Sequence, residues 1–217
     1  MKLFLSSYRA GNHNADLIKF LGDIKKVAFI SNAKDYKSKS EREKSMRENF
    51  NFWKSNGIEP HEIDLRSYFR KKGAEKLFDG FDFVWLAGGN AFLLRRALKY
   101  SGIDKFLKEK VGASKIVYGG ESAGAILAAP TLRGSEDGTS SGHEDDPNYS
   151  PEPYEKKVFW DGLGFLDFVL VPHYKSPEIA ESIDGYVDYL KAHRIPHKTI
   201  REEEALIIDG KKREFLK

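Results

Sequence analysis

The stretch IVYGGESAGAILA, residues 116–128, decides the fold of this chain. The apolar run 114–119 is typical of a buried strand, and the small and apolar residues after Ser122 favour a helix. A glycine-containing turn of only a few residues joins the two segments. A strand that passes through so short a turn into a helix is the repeating unit of a parallel α/β sheet. We therefore expect an α/β fold with Ser122 in the turn.

The same alternation extends over the rest of the chain. Short apolar segments occupy 2–6, 26–31, 61–65, 81–87 and 114–119, and later 165–171, 205–209 and 214–216. Amphipathic segments occupy 14–21, 40–55, 66–78, 90–110 and 177–192. Nearly continuous apolar strands predict a mostly parallel central sheet flanked by helices, which is a three-layer α/β sandwich. We expect a single domain over residues 1–217, with a long polar loop at about 130–157.

Composition excludes several classes of protein. The 217 residues include no cysteine, so disulfides, a thiolate nucleophile and cysteine metal sites are impossible. The 36 basic residues are offset by 33 acidic ones, which argues against a nucleic-acid surface. No apolar run approaches the roughly 18 residues of a membrane helix, and the first apolar segment is too short for a signal peptide. We expect a cytoplasmic protein without a membrane or nucleic-acid partner, either a monomer or a homodimer.

Gly120-Glu121-Ser122-Ala123-Gly124 fits the pattern G-x-S-x-G of a nucleophile elbow. In such an elbow a strained turn lifts the serine hydroxyl out at the carboxyl end of the sheet. The small residues let the strand and the helix approach closely. The pattern alone also fits a serine that merely caps the helix. The strand before it and the helix after it favour the nucleophile.

A nucleophilic serine needs a base and an acid that orients the base. His173 is the best candidate for the base, because it follows the apolar run 165–171 and the other five histidines lie in polar or helix-flanking stretches. His143 has neighbouring carboxylates but no recognisable metal-ligand spacing, so we expect no metal and no cofactor. The candidate acids are Asp137, Asp145, Asp146, Glu152, Glu202, Glu203 and Glu204, and spacing does not choose among them.

Gly88-Gly89-Asn90 ends another apolar strand. Its free N–H groups fit an oxyanion hole together with the N–H of Ala123. A glycine turn in which Asn90 caps the next helix fits these residues equally well.

Four segments together resemble the serine peptidase family that contains dipeptidase E and cyanophycinase. They are KLFLSS at the amino terminus, WLAGGNAFLLRRAL (85–98), YGGESAGAILAAPTLR (118–133) and GLGFLDFVLVPHY (162–174). The resemblance implies a class I glutamine-amidotransferase-like fold, with Ser122 as nucleophile, His173 as general base, and Gly89 and Ala123 as oxyanion donors. It also implies that Asp137 is the triad acid. The alternatives are Asp145 and Asp146, which match an Asp-Asp pair of other members, and Glu203.

The resemblance further implies an exopeptidase that cleaves short peptides through an acyl-enzyme, with a preference for N-terminal aspartate. Two departures bear on that preference: the polar loop is longer than in dipeptidase E, and residues 174–185 lack the arginine that suits an acidic side chain. We take Asn90, Glu121, Arg133 and Lys175 as candidate substrate-binding residues. The alternatives are a small α/β-hydrolase-type esterase and a non-catalytic member of the fold.

Overall fold

The computed structural model describes residues 1–136, 143 and 145–217. The strands are β1 Lys2–Ser6, β2 Lys26–Ile30, β3 Glu59–Glu62, β4 Phe83–Leu86, β5 Val117–Glu121, β6 Val169–Val171, β7 His197–Thr199, β8 Ala205–Asp209 and β9 Lys212–Leu216. The α-helices are α1 Asn14–Leu21, α2 Lys39–Ser55, α3 Ala91–Ser101, α4 Ile103–Gly112, α5 Ala123–Ile126 and α6 Ala180–Ala192. Within the described ranges, no helix combines the length and apolar character needed to cross a membrane.

Seven strands form the central sheet in the order β3-β2-β4-β5-β1-β8-β9. The first five are parallel to their neighbours, and β8 and β9 add an antiparallel edge. Successive residues of a strand point to opposite faces, so Leu3 and Phe4 of β1 belong to two different hydrophobic clusters. Helices α1 and α2 cover the Phe4 face, and α3, α4 and α5 cover the Leu3 face. The predicted mostly parallel sheet between helical layers is confirmed.

The strand predicted over 165–171 is shorter than expected and lies outside the central sheet. Strand β6 pairs only with β7, in parallel, to form a second sheet of two strands. Its predicted first half is not in a strand, because the amides of Phe165 and Leu166 both donate to the carbonyl of Ala128, over 2.9 and 3.0 Å. An apolar run has the same pattern in a large sheet and in a small one, so the sequence did not distinguish the two.

Two predicted helical segments are interrupted. Residues 66–78 form two short 3-10 helices, Leu65–Tyr68 and Ala74–Phe78, with Gly73 between them at φ 94°. Residues 90–110 are divided into α3 and α4 by Gly102 at φ 77°. Glycine reaches this left-handed backbone region without the steric cost that other residues meet, which is why helices commonly end there.

The described part of the polar loop 130–157 is tied to the rest of the molecule. Thr131 forms an isolated bridge with Asp161. The Tyr154 hydroxyl donates to the Asp35 carboxylate over 2.5 Å. Buried Arg96 of α3 donates to the carbonyls of Tyr149 (2.5 Å) and Glu155 (3.0 Å), and to the Ser150 hydroxyl (2.7 Å). The bonds from Arg96 hold residues 149–155 against the middle of α3.

Candidate active site

Ser122 occupies a strained turn between β5 and α5. Its backbone lies at φ 49° and ψ −112°, a conformation that costs a non-glycine residue about 1–3 kcal/mol. The Ser122 amide donates to the Ser6 carbonyl over 3.1 Å, which ties the turn to β1. The side chain makes no capping hydrogen bond to α5. The serine therefore does not serve as a side-chain helix cap, and its hydroxyl is available for another partner.

Glycines around Ser122 allow the turn to sit directly on the sheet. A Cβ on Gly124 would lie 2.1 Å from the carbonyl oxygen of Leu86 at the end of β4. A Cβ on Gly120 would lie 2.6 Å from the carbonyl carbon of Gly124. A Cβ on Gly88 would lie 3.0 Å from the Cβ of Ser122. No side chain fits at Gly120 or Gly124, and one at Gly88 would crowd Ser122, so these glycines set the position of the serine.

His173 lies beside Ser122, at the end of β6. Its Nε2 is 2.9 Å from the Ser122 Oγ. The backbone of His173 is in the left-handed region at φ 61°, and its amide donates to the Ser7 Oγ over 2.6 Å. The side chain is 19% exposed, so the imidazole is largely shielded from water. Ser7 thus helps to fix the direction in which the ring points.

The carboxylate that contacts His173 is that of Glu202, three residues after β7. Its Oε1 is 2.6 Å from the His173 Nδ1. The hydrogen bond with His173 outweighs partial burial and holds the pKa of Glu202 below its ordinary value of 4.5. An ionised Glu202 accepts a hydrogen bond from the Nδ1–H of His173. The proton is then on Nδ1, so the lone pair of Nε2 faces the Ser122 hydroxyl. The three side chains form one continuous hydrogen-bonded series.

The other candidate acids are described only in part. Asp137 is outside the described residues, and its role stays a prediction. Asp145 lines the cavity beside Ser122, whereas Asp146 lies 3.8 Å from the His143 Nδ1. Glu203 is exposed, and its backbone carbonyl accepts from the Asn12 amide over 3.1 Å. Sequence reasoning named Glu202 only as one later carboxylate among several. Its place after β7 resembles that of His173 after β6, but β7 is the polar tripeptide His-Lys-Thr and gives no strand pattern in the sequence.

The two predicted oxyanion donors lie at the same edge. Gly89 and Ser122 both line the cavity. Gly89 has φ 134°, and a Cβ there would lie 2.5 Å from the Ala33 carbonyl oxygen, so only glycine fits. Ala123 is the first residue of α5, and the first amides of a helix have no partner within it. Both N–H groups are therefore compatible with the predicted role, which remains a prediction.

Two of the predicted substrate-binding residues are buried and bonded to the protein itself. Asn90 caps α3 by accepting from the Leu93 amide over 2.8 Å. Its amide group donates to the carbonyls of His143 and Asp146, over 2.6 and 3.0 Å. Glu121 is 5% exposed and accepts a hydrogen bond from the Arg9 amide. Asn90 thereby holds His143 and Asp146, and Glu121 holds the segment that follows β1.

The two predicted cationic residues lie on aromatic rings. The Arg133 guanidinium is 4.5 Å from the Trp160 ring centroid, and the Lys175 ammonium is 5.6 Å from that of Tyr174. Both are exposed, and neither lines the cavity. The structure therefore does not bring these two side chains together with Ser122.

A cavity of about 560 Å³ opens beside Ser122 and His173. One side consists of the ends of β4 and β5 with the start of α3. The other consists of residues 134–135, Asp145 and the segment 176–186. Its volume is in the range of small-molecule sites, about 300–1,000 Å³.

A family model described as "Peptidase family S51" matches residues 4–216 of the chain. This chain belongs to peptidase family S51. A curated relative of this S51 chain, from Streptomyces coelicolor, is named peptidase E; it is 29% identical over 154 residues, 68% of this chain and 57% of the relative. The resemblance to the family of dipeptidase E and cyanophycinase is confirmed.

Other relatives differ in how much of their length is matched. An uncharacterized peptidase of Pasteurella multocida is 27% identical over 214 residues, 96% of this S51 chain and 94% of the relative. An uncharacterized peptidase of Listeria innocua is 34% identical over 132 residues, and the match spans only 58% of that relative. A crystal structure of a Listeria monocytogenes protein shares the fold, with a TM-score of 0.72 at 24% identity over 99% of this chain and 97% of that one.

Proposed function

We propose that this chain is a serine peptidase that hydrolyses short peptides as an exopeptidase. The observation that carries the proposal is the hydrogen-bonded series from the Ser122 Oγ to His173, 2.9 Å, and from His173 to Glu202, 2.6 Å. A nucleophile bonded to a base, with the base bonded to an orienting acid, is the arrangement that catalyses acyl transfer. Membership of peptidase family S51 supports a peptide as the acyl donor.

In the proposed reaction, His173 Nε2 takes the proton of the Ser122 hydroxyl while the oxygen attacks the carbonyl carbon of the substrate. The N–H groups of Gly89 and Ala123 stabilise the resulting oxyanion. His173 then gives its proton to the leaving amine, and the peptide bond breaks to leave an acyl-serine. Water, deprotonated by His173, releases the acyl group and restores Ser122. Throughout, Glu202 holds the imidazole in one tautomer and stabilises its protonated form.

The size of the cavity supports short substrates. A volume of about 560 Å³ suits a molecule of a few residues rather than a folded protein. This agrees with the exopeptidase activity that the dipeptidase E resemblance implies. Among the candidate acids, Glu202 is preferred to Asp137 because Glu202 contacts the His173 Nδ1.

A dipeptide panel with varied N-terminal residues tests the proposal. We expect the purified protein to hydrolyse at least one member, and Ser122→Ala to lower kcat by on the order of 10⁴-fold or more. Ser67→Ala is the matched control, because Ser67 is exposed and lies outside the cavity. Undiminished hydrolysis by Ser122→Ala would refute the mechanism. Turnover of esters without turnover of peptides would favour the esterase alternative.

A further inference from the structure

Apolar residues from both sides of the cavity beside Ser122 together form what we call the apolar wall. Phe92, Ile126, Ile179, Ile183 and Tyr186 all line the cavity. Phe92, Ile183 and Tyr186 are at most 9% exposed, so this wall belongs to the interior of the protein. A charged side chain placed against it would lose its hydration without a compensating partner. An apolar side chain would instead gain by leaving water.

The charges that reach the cavity are acidic. Apart from the His173–Glu202 pair, the charged residues that line it within the described ranges are Asp145 and Glu178, and no lysine or arginine lines it there. Glu178 is exposed, just before α6. A carboxylate near the opening attracts the free amine of a peptide and repels a second carboxylate. Neither Arg133 nor Lys175 supplies a counter-charge at this wall.

Tyr186 belongs to the apolar lining and does not present its hydroxyl to the cavity. It lines the cavity and is 3% exposed, yet its hydroxyl has no hydrogen-bond partner among the described residues. Burial, with Glu136 nearby, raises the pKa of Tyr186, so the hydroxyl is neutral. This hydroxyl has almost no accessible surface, so Tyr186 lines the cavity through its other atoms and adds to the apolar wall.

We infer that this site takes short peptides whose N-terminal residue combines a free amine with an apolar side chain, and that it discriminates against N-terminal aspartate. The inference rests on the proposed peptidase function and specifies its substrate class. The apolar wall receives the side chain, and the acidic side chains of Glu178 and Asp145 attract the amine. Glu178 is the residue that most directly determines the discrimination, because it is the exposed carboxylate at the opening.

Competition among three dipeptides with a common second residue tests the inference. Leu-Ala, Asn-Ala and Asp-Ala have N-terminal side chains of similar size; Leu and Asn differ in polarity, and Asn and Asp differ in charge. Mass spectrometry of one mixture gives the ratios of kcat/KM directly. We expect kcat/KM to fall in the order Leu-Ala, Asn-Ala, Asp-Ala, with at least about a 100-fold difference between the first and the last. Enzymes reach differences of this size when binding the wrong substrate leaves a polar group unpaired.

Reversal of one charge tests whether Glu178 causes the discrimination against N-terminal aspartate. Glu178→Lys should raise the rate on Asp-Ala relative to Asn-Ala by roughly tenfold, because attraction replaces repulsion at the opening. Glu181→Lys makes the same charge change at an exposed position outside the cavity. It should leave that ratio unchanged.

The possible results separate the inference from the function on which it rests. If Asp-Ala is cleaved as fast as the other two, and Ser122→Ala abolishes that cleavage, the inference is wrong and the peptidase function stands. An equal shift in Glu181→Lys and Glu178→Lys would also overturn it. If no dipeptide is cleaved, the proposed function fails and the inference falls with it. A fluorophosphonate probe that still labels Ser122 would then locate the failure in peptide recognition.

Discussion

The two sides of the cavity are held in place by different means. The catalytic wall, which contains Gly89 and Ser122, is set by backbone packed on backbone, as in the approach of Gly124 to Leu86. The loop wall consists of residues 134–135, Asp145 and the segment 176–186. Beside it, His143 and Asp146 are held by side-chain bonds from Asn90, and the neighbouring 149–155 segment by those from Arg96.

This difference separates two kinds of variation. Backbone packed without a gap has no room for a side chain, so a change at the catalytic wall displaces Ser122 for every substrate. Side-chain hydrogen bonds can be lost one at a time, so a change at the loop wall alters the shape offered to the substrate. We therefore expect variants of the catalytic wall to lower kcat uniformly and variants of the loop wall to change KM selectively.

The largest effect is expected for Glu202→Gln. An amide in place of the carboxylate neither fixes the required tautomer of His173 nor stabilises its charge, so kcat should fall by roughly 10³–10⁴-fold on every substrate. Steady-state kinetics on the dipeptide panel would measure it. Glu203→Gln is the matched control, because Glu203 is the exposed neighbour. A comparable loss in Asp137→Asn or Glu203→Gln, with Glu202→Gln unaffected, would transfer the acid role to that residue.

The next largest loss of kcat is expected for Gly124→Ala. Its Cβ would lie 2.1 Å from the Leu86 carbonyl oxygen, so α5 must move away from β4. Overpacking of this kind costs about 1–3 kcal/mol of unfolding free energy. A displacement of Ser122 by about 1 Å lowers kcat by on the order of 100-fold. Urea unfolding and kinetics would measure both.

The control for this variant is Gly112→Ala. A Cβ on Gly112 would meet no atom within 4 Å, so this change should leave both stability and kcat nearly intact. Equal behaviour of the two glycine variants would contradict the role given to close packing in the catalytic wall.

A smaller effect is expected in the 149–155 segment, which neighbours the loop wall. Arg96→Met removes the charged donors to Tyr149, Ser150 and Glu155, and a hydrogen bond to a charged group contributes about 1.5–3 kcal/mol. KM should rise by roughly tenfold with kcat largely retained, as when an interaction common to substrate and transition state is lost. Arg47→Met, at an exposed position, is the control. A uniform fall in kcat with KM unchanged would mean that the two walls are not independent.

The smallest effect concerns pH. The folded-state pKa of Glu202 is lowered by its bond with His173, so the stability it contributes is complete above the unfolded value and declines as pH falls through the folded one. The difference in unfolding free energy between wild type and Glu202→Gln should be constant at neutral pH. It should shrink below pH 4.5, by at most about 1 kcal/mol, since the side chain is 43% exposed. Urea titrations at several pH values would measure it; a difference that grows in acid would contradict the assigned direction.

Much of the fold and part of the site followed from the sequence, for physical reasons. Gly120 and Gly124 are needed only where a helix packs tightly on a strand, so their spacing around Ser122 predicted the strained turn. Glu202 was not selected because β7 is the polar tripeptide His-Lys-Thr, which lacks the apolar pattern of a buried strand. Without that strand, nothing in the sequence distinguishes Glu202 from the glutamates next to it.

The placement of β6 and β7 in a sheet of their own has a consequence for inactivation. Ser122 follows β5 of the seven-stranded sheet, whereas His173 and Glu202 follow the two strands of the small one. Small units of structure open at lower free-energy cost than the whole molecule. Heating that opens only the β6–β7 pair would part the base from the nucleophile while the large sheet stayed intact. The temperature at which activity disappears would then lie below the temperature of global melting.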